Sequence, residues 1–146
     1  MIKLKMSDVK FNIQYRPRGI RNNNPANIRH SHFKWLGLSK VQLDKEFCTF
    51  DTMSFGIRAL LITLRTYYNK HHCNTIRKVI SRFAPSCENN TENYIKFVCD
   101  YWSFDPDFKL SLKSCLLLAI PIMYIESHYI VHPETLKEII EKYHIM

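Results

Sequence analysis

Residues Ser111 to Glu126 read SLKSCLLLAIPIMYIE, and no other segment constrains the architecture as tightly. Cys115–Ile125 are eleven apolar residues in a row, so a helix here leaves no face for solvent. Such a helix lies in the middle of a domain rather than on its surface. The run falls well short of the ~20 residues needed to cross a bilayer. Pro121 sits inside it. Lacking an N–H, and with a ring that collides with the carbonyl four residues back, it predicts a kink or a division.

Outward from this helix the chain reads as more helices. Downstream, His132-Pro133-Glu134 starts an amphipathic helix with Leu136, Ile139, Ile140 and Tyr143 inward. Upstream, Asn90-Thr91 caps a helix carrying Tyr94, Val98 and Tyr101 on one face. A shorter one runs from Asn74/Thr75 to Phe83 and stops at Pro85. Asp51 is expected to cap the strongest helix, which follows Phe55, Ala59, Leu60, Ile62 and Leu64 to Tyr67-Tyr68. Before it, Phe33 to Phe50 reads as a small β-hairpin turning near Gly37. Asn24-Pro25 reads as a cap and first residue of a helical turn over Pro25–Arg29. Val9, Phe11, Ile13 and Tyr15 alternate with polar residues, as an edge strand or extended arm would. The expectation is one domain over 1–146, mainly α (α+β), with 1–17 as an arm or edge strand.

Composition agrees with one globular domain. The chain has 146 residues, 46% hydrophobic and 23% charged. That excludes disordered and collagen-like classes, and a chain this long needs no metal or disulfide staple. The formal charge is +8. Nine Lys/Arg and one acid, Asp8, lie in residues 1–40, against twelve of each in 41–146, so the excess belongs to the first forty residues. A basic surface there suits an anionic partner such as nucleic acid, a membrane surface or a wall polymer. A solvated basic tail is the plainer alternative. The five cysteines are odd in number, widely spaced and without a CxxC pair, which points to reduced thiols in a cytosol. The N-terminus lacks the apolar core of a signal peptide. The expectation is synthesis in the cytoplasm, with action elsewhere depending on release or on carriage by a virion or secretion machine.

Glu126 is the most informative acid. Burial beside Met123, Tyr124 and Ile125, and the negative end of its helix, would both disfavour its ionised form. A carboxylic acid kept protonated near neutrality is what a glycosidase uses to protonate a leaving oxygen. The alternative is a solvated acid beyond the helix end. Arg18-Gly19-Ile20-Arg21-Asn22-Asn23-Asn24-Pro25-Ala26-Asn27-Ile28-Arg29 offers amides and guanidiniums suited to acetamido and hydroxyl groups of amino sugars, or an Asx-turn that uses Asn24. Glu88 stands in a loop and lines a cleft or faces water. Asp44 and Glu46 alternate with Lys45, so on a strand both would project from one face, as a second carboxylate or as a solvated edge. His30-Ser31-His32 and His71-His72-Cys73 lack a companion cluster at ligand spacing, so no metal and no cofactor is expected. No P-loop, GxGxxG or Ser/Cys nucleophile motif occurs.

The runs RGIRNNNPANIR, KWLGL, EFCTFDTMSFGIRALLITLRTYY and NTIRKVISRFAPSCENNTENYIKFV, spanning residues 18–98, resemble small phage and bacterial proteins of virions or of peptidoglycan degradation. A second resemblance is to lysozyme-like glucosaminidases. There a catalytic Glu-Ser ends a helix and is followed by an NxxNI segment, a β lobe with W-x-G, and a Tyr motif. Asn24-Pro25-Ala26-Asn27-Ile28 matches NxxNI, Trp35-Leu36-Gly37 matches W-x-G, and Ala84–Tyr94 corresponds to the Tyr motif. The Glu-Ser helix stands at the other end, Ala119–Ser127, so the resemblance implies a circularly permuted lysozyme-like fold. Pro121, and His128 where a Gly is typical, depart from the pattern.

The resemblance implies a peptidoglycan-degrading glycosidase, hydrolase or lytic transglycosylase, cutting the β-1,4 glycan as a monomer without cofactor. Glu126 would be its general acid and Asp44 or Glu46 an assisting carboxylate. Arg21, Asn24, Asn27, Trp35, Glu88 and Tyr94 would bind substrate. The rival readings are a non-catalytic virion structural or wall-binding protein that keeps the fold, and a small basic nucleic-acid binder, for which no recognised motif is present.

Overall fold

The structure, a computed structural model, describes residues 16–146, and the alternating segment Val9–Tyr15 lies outside the described residues. Among the described residues, seven helices follow in order: α1 (Arg18–Arg21), α2 (Met53–His71), α3 (Ile76–Phe83), α4 (Thr91–Trp102), α5 (Leu112–Leu117), α6 (Ala119–Ser127) and α7 (Pro133–Lys142). The architecture is mainly α.

Two helices form the centre. In α2, Ile57, Ala59, Leu60, Leu61, Ile62 and Leu64 are all buried, and α3, α5, α6 and α7 pack around it. In α6, Ala119, Ile120, Ile122 and Met123 are buried, as the apolar run requires. Each large side chain so buried contributes about 1.5–3 kcal/mol relative to exposure.

The apolar run is divided, though not at the proline. The break falls at Leu118, three residues earlier, which places Pro121 in the first turn of α6, where an N–H has no intrahelical partner to lose. The carbonyl four residues before Pro121 belongs to Leu117. It leaves the helical ladder and accepts a hydrogen bond from Trp102 Nε1 at 3.2 Å. A side chain from α4 thus satisfies the acceptor that the proline orphans.

Local chemistry sets the other ends. Thr75 and Asn90 cap α3 and α4 by accepting from Lys78 N and Asn93 N. His132 caps α7, with Pro133 at its first turn. For α2 the cap is Thr52, which accepts from Phe55 N at 3.3 Å, and not Asp51, whose carboxylate accepts from Ser39 Oγ instead. The helical turn expected over Pro25–Arg29 is absent. The helix of that region is α1, and Asn24–Ile28 is a tight turn.

Between α1 and α2 the chain forms an irregular lobe, residues 22–52, rather than the expected hairpin. Its pairing is limited to two isolated antiparallel bridges, Arg29 with Phe47 and Leu38 with Phe50. Side chains supplement the few backbone bonds that cross it. Asn24 Nδ2 donates to the carbonyls of Ile28 and Cys48, and its Oδ1 accepts from Ile28 N. Gln42 does the same across to Thr49.

The lobe is seated by close approach at two glycines. A Cβ on Gly56 of α2 would stand 1.9 Å from the Asn23 carbonyl oxygen, and one on Gly19 of α1 would stand 1.9 Å from Ser127 Oγ. Only hydrogen fits at either place. All five cysteines are unbridged, four of them buried and Cys87 exposed. Among the described residues no helix is long and apolar enough to cross a membrane, and no group of three His, Cys, Asp or Glu gathers as a metal site would require.

Candidate active site

A cleft of about 420 Å³ lies between the lobe and the helical body. Ala26–Arg29 and Phe47 of the lobe form one wall. Thr63 and Tyr67 of α2, Arg82–Pro85, Glu88 and Asn89 form the other, and Glu126 is at its inner end.

Glu126 occupies the last turn of α6. Asn27, at φ 53° in the left-handed region that asparagine tolerates, turns its amide onto this turn. Its Nδ2 donates to the Glu126 backbone carbonyl and to Oε1, both at 3.2 Å. One amide thereby caps the helix end and orients the carboxyl. On the other side Tyr94 of α4, itself buried and edge-on to Phe83, donates its O–H to Glu126 Oε2 at 3.0 Å. Residues 27, 94 and 126 meet in space although 99 positions separate the first from the last.

Burial pushes the Glu126 carboxyl above the usual carboxylate range. The amide of Asn27, the hydroxyl of Tyr94 and the charge of Arg29 pull the other way and do not cancel it. Burial first, and then the Glu126 carboxyl, push the Tyr94 hydroxyl far above its ordinary value. Tyr94 is therefore a fixed neutral donor. The arrangement presents an acid with one fixed partner per oxygen and an open direction into the cleft.

The remaining expected residues divide. Glu88 lines the cleft, half-exposed, 3.8 Å from Arg29 Nη2. Asp44 does not. Arg18 grips it with Nε at 2.5 Å and Nη2 at 2.6 Å, and Asn22 Nδ2 and the backbone N–H groups of Glu46 and Phe47 complete its acceptors. This guanidinium holds the carboxyl well below the usual range. Asp44 is the anchor of the lobe, with no free oxygen for chemistry. Glu46 is exposed and paired with Arg18 and Arg29 at 3.3 Å. Asn24 is fully buried and spent on the lobe turn, so it reaches no cleft. Trp35 packs against the core and Phe33, and Arg21 borders a shallow depression elsewhere. The loop that bends at Asn24 turns Asn27, and not Asn24, toward the acid.

Sequence reasoning passed over Thr63. Thr63 and Tyr67 are four apart on α2 and so share a face, but nothing in the sequence says that this face borders a cleft.

No family model matches the chain. Over 97 residues it is 42% identical to Protein P5 of Pseudoalteromonas phage PM2, a stretch that takes in 64% of this chain and 61% of that protein. The chain thus spans less than two thirds of that relative's length. The phage origin of that relative agrees with the expectation of a phage protein.

Proposed function

We propose that the chain is a lysozyme-like enzyme that cleaves the β-1,4 glycan backbone of peptidoglycan, with Glu126 as the general acid. One observation carries the reading: a carboxyl disposed to hold its proton, at the inner end of a cleft, fixed by an amide from the NxxNI segment and a tyrosine from α4. That meeting is what a lysozyme-like fold with its Glu-Ser helix moved to the C-terminal side requires. Asn27 and Tyr94 are then positioning residues for the acid.

A single-acid route accords with the state of the other candidates. Asp44 is held as an anion by Arg18, Glu46 is engaged by two arginines, and Glu88, on the cleft wall, faces Arg29 at 3.8 Å. Glu126 protonates the glycosidic oxygen as the bond breaks, and a group of the substrate itself attacks the anomeric carbon, as in lytic transglycosylases. Glu126, now ionised, can take the proton of that attacking group. The enzyme reaches the wall after release or on a virion.

The test is digestion of purified sacculi, with mass spectrometry of the products. Wild type should release glycan fragments, anhydro-ended for the single-acid route. Glu126→Gln should reduce the rate by a factor on the order of 10²–10⁴, the usual contribution of a positioned acid. Cleavage by Glu126→Gln at the wild-type rate refutes the assignment. Sacculus binding without cleavage by the wild type favours a silent wall-binding protein.

A further inference from the structure

The two guanidinium groups of the cleft stand in different electrostatic states. Arg29, on the lobe wall, is answered by acids. Its Nη1 is 3.3 Å from Glu46 and its Nη2 3.8 Å from Glu88, over the ring of Phe47. Arg82, in the last turn of α3 on the helical wall, has no carboxylate within ion-pair distance among the described residues. Its guanidinium lies over the Tyr67 ring, 5.3 Å from the centroid, and Nη2 is 3.3 Å from His71 Nε2. A guanidinium only donates, so the imidazole nitrogen is the acceptor. Tyr67 and His71 therefore orient the fork without neutralising it. A planar fork of donors, held against a ring on the wall of a cleft, matches an oxyanion bidentately.

We infer that Arg82 is a specificity-determining residue, taking an oxyanion, carboxylate or phosphate, that the glycan strand carries, so that the cleft selects anionic glycan over neutral glycan. This rests on the glycan-cleaving reading of Glu126 and supplies the substrate charge which that reading leaves open. Arg29 does not take this role, because Glu46 and Glu88 already occupy its donors.

Binding tests it without cleavage. The Glu126→Gln protein is titrated with three forms of soluble peptidoglycan strand: intact, stripped of phosphate-bearing polymers, and stripped with its carboxylates then amidated. Affinity should fall about tenfold at one of the two steps, as expected for loss of one charge-assisted bidentate pair. A fall at stripping names phosphate, and a fall at amidation names carboxylate. Adding Arg82→Gln should abolish that step and leave affinity for the neutral strand unchanged. Arg82 is exposed, so the variant is expected to fold. Equal affinity for all three forms, or a step that survives Arg82→Gln, overturns the inference and leaves the glycan reading standing. Failure to bind any of the three overturns both.

Discussion

Replacing Tyr94 by Phe removes one oxygen and keeps the ring against Phe83. The lost group is the donor that reaches Glu126 Oε2 at 3.0 Å and favours the ionised carboxyl. A hydrogen bond to a charged group is worth about 1.5–3 kcal/mol, and one pKa unit corresponds to about 1.4 kcal/mol. The protonated carboxyl also keeps some attraction to a hydroxyl, so the lower end applies. The Glu126 pKa should rise by about one unit. The sign for stability follows by linkage. A carboxyl whose folded pKa is raised stabilises the fold while protonated and loses that contribution as pH rises from the ordinary value of 4.5 through the folded value. Against a Glu126→Gln reference, wild type should therefore fall behind over that interval and then level off. In the Tyr94→Phe background the interval should extend about one unit higher, and the final gap should widen by about 1.4 kcal/mol, or roughly 4 °C in Tm. Thermal melts of the four proteins between pH 4 and 9 measure this. An unmoved or lowered interval means that Tyr94 does not govern the acid, and the positioning role fails.

Two further outcomes follow from the lobe. Asp44→Asn should lower Tm by several degrees at neutral pH. The gap to wild type should close as pH falls through and below 3.8, because the wild-type carboxylate, whose folded pKa is depressed, loses its contribution when protonated. Its kcat, measured well below Tm, should stay close to wild type, whereas a large kcat loss would restore Asp44 as a second carboxylate. Gly19→Ala places a methyl 1.9 Å from Ser127 Oγ and 2.7 Å from the Asn24 carbonyl. Overpacking of this kind costs about 1–3 kcal/mol, so Tm should fall and activity should fall with it as α6 shifts. A neutral effect on both would show that α1 does not seat the acid-bearing helix.

What the sequence made legible was local. The caps of α3 and α4 and the burial of the Cys115–Ile125 run depend on neighbours within a few positions, and they were readable. The lobe was not, because Phe33 to Phe50 carries a strand-like composition, yet its backbone pairing stops at two isolated bridges and the side chains of Asn24 and Gln42 make further cross-links. Asp44 and Glu46 were placed on one strand face for the same reason. Once the strand is gone, what decides their state is Arg18, 26 residues away from Asp44. Within Asn22–Asn27, composition alone does not tell which amide faces inward. The conformation at Asn27, at positive φ, does.

The 99-residue separation between Asn27 and Glu126 also sets a timetable. A ribosome adds about 5–20 residues per second, so the acid is made roughly 5–20 s after the amide that holds it. Until α6 is complete, Gly19 has no Ser127 to rest on and the cleft has no inner end. Closing so long a loop costs entropy before any contact repays it, which makes such pairings late and slow events in folding. The lobe can rest on Gly56 as soon as α2 is made, but its contact with the acid must wait, and no partly synthesised chain that stops short of α6 carries the acid.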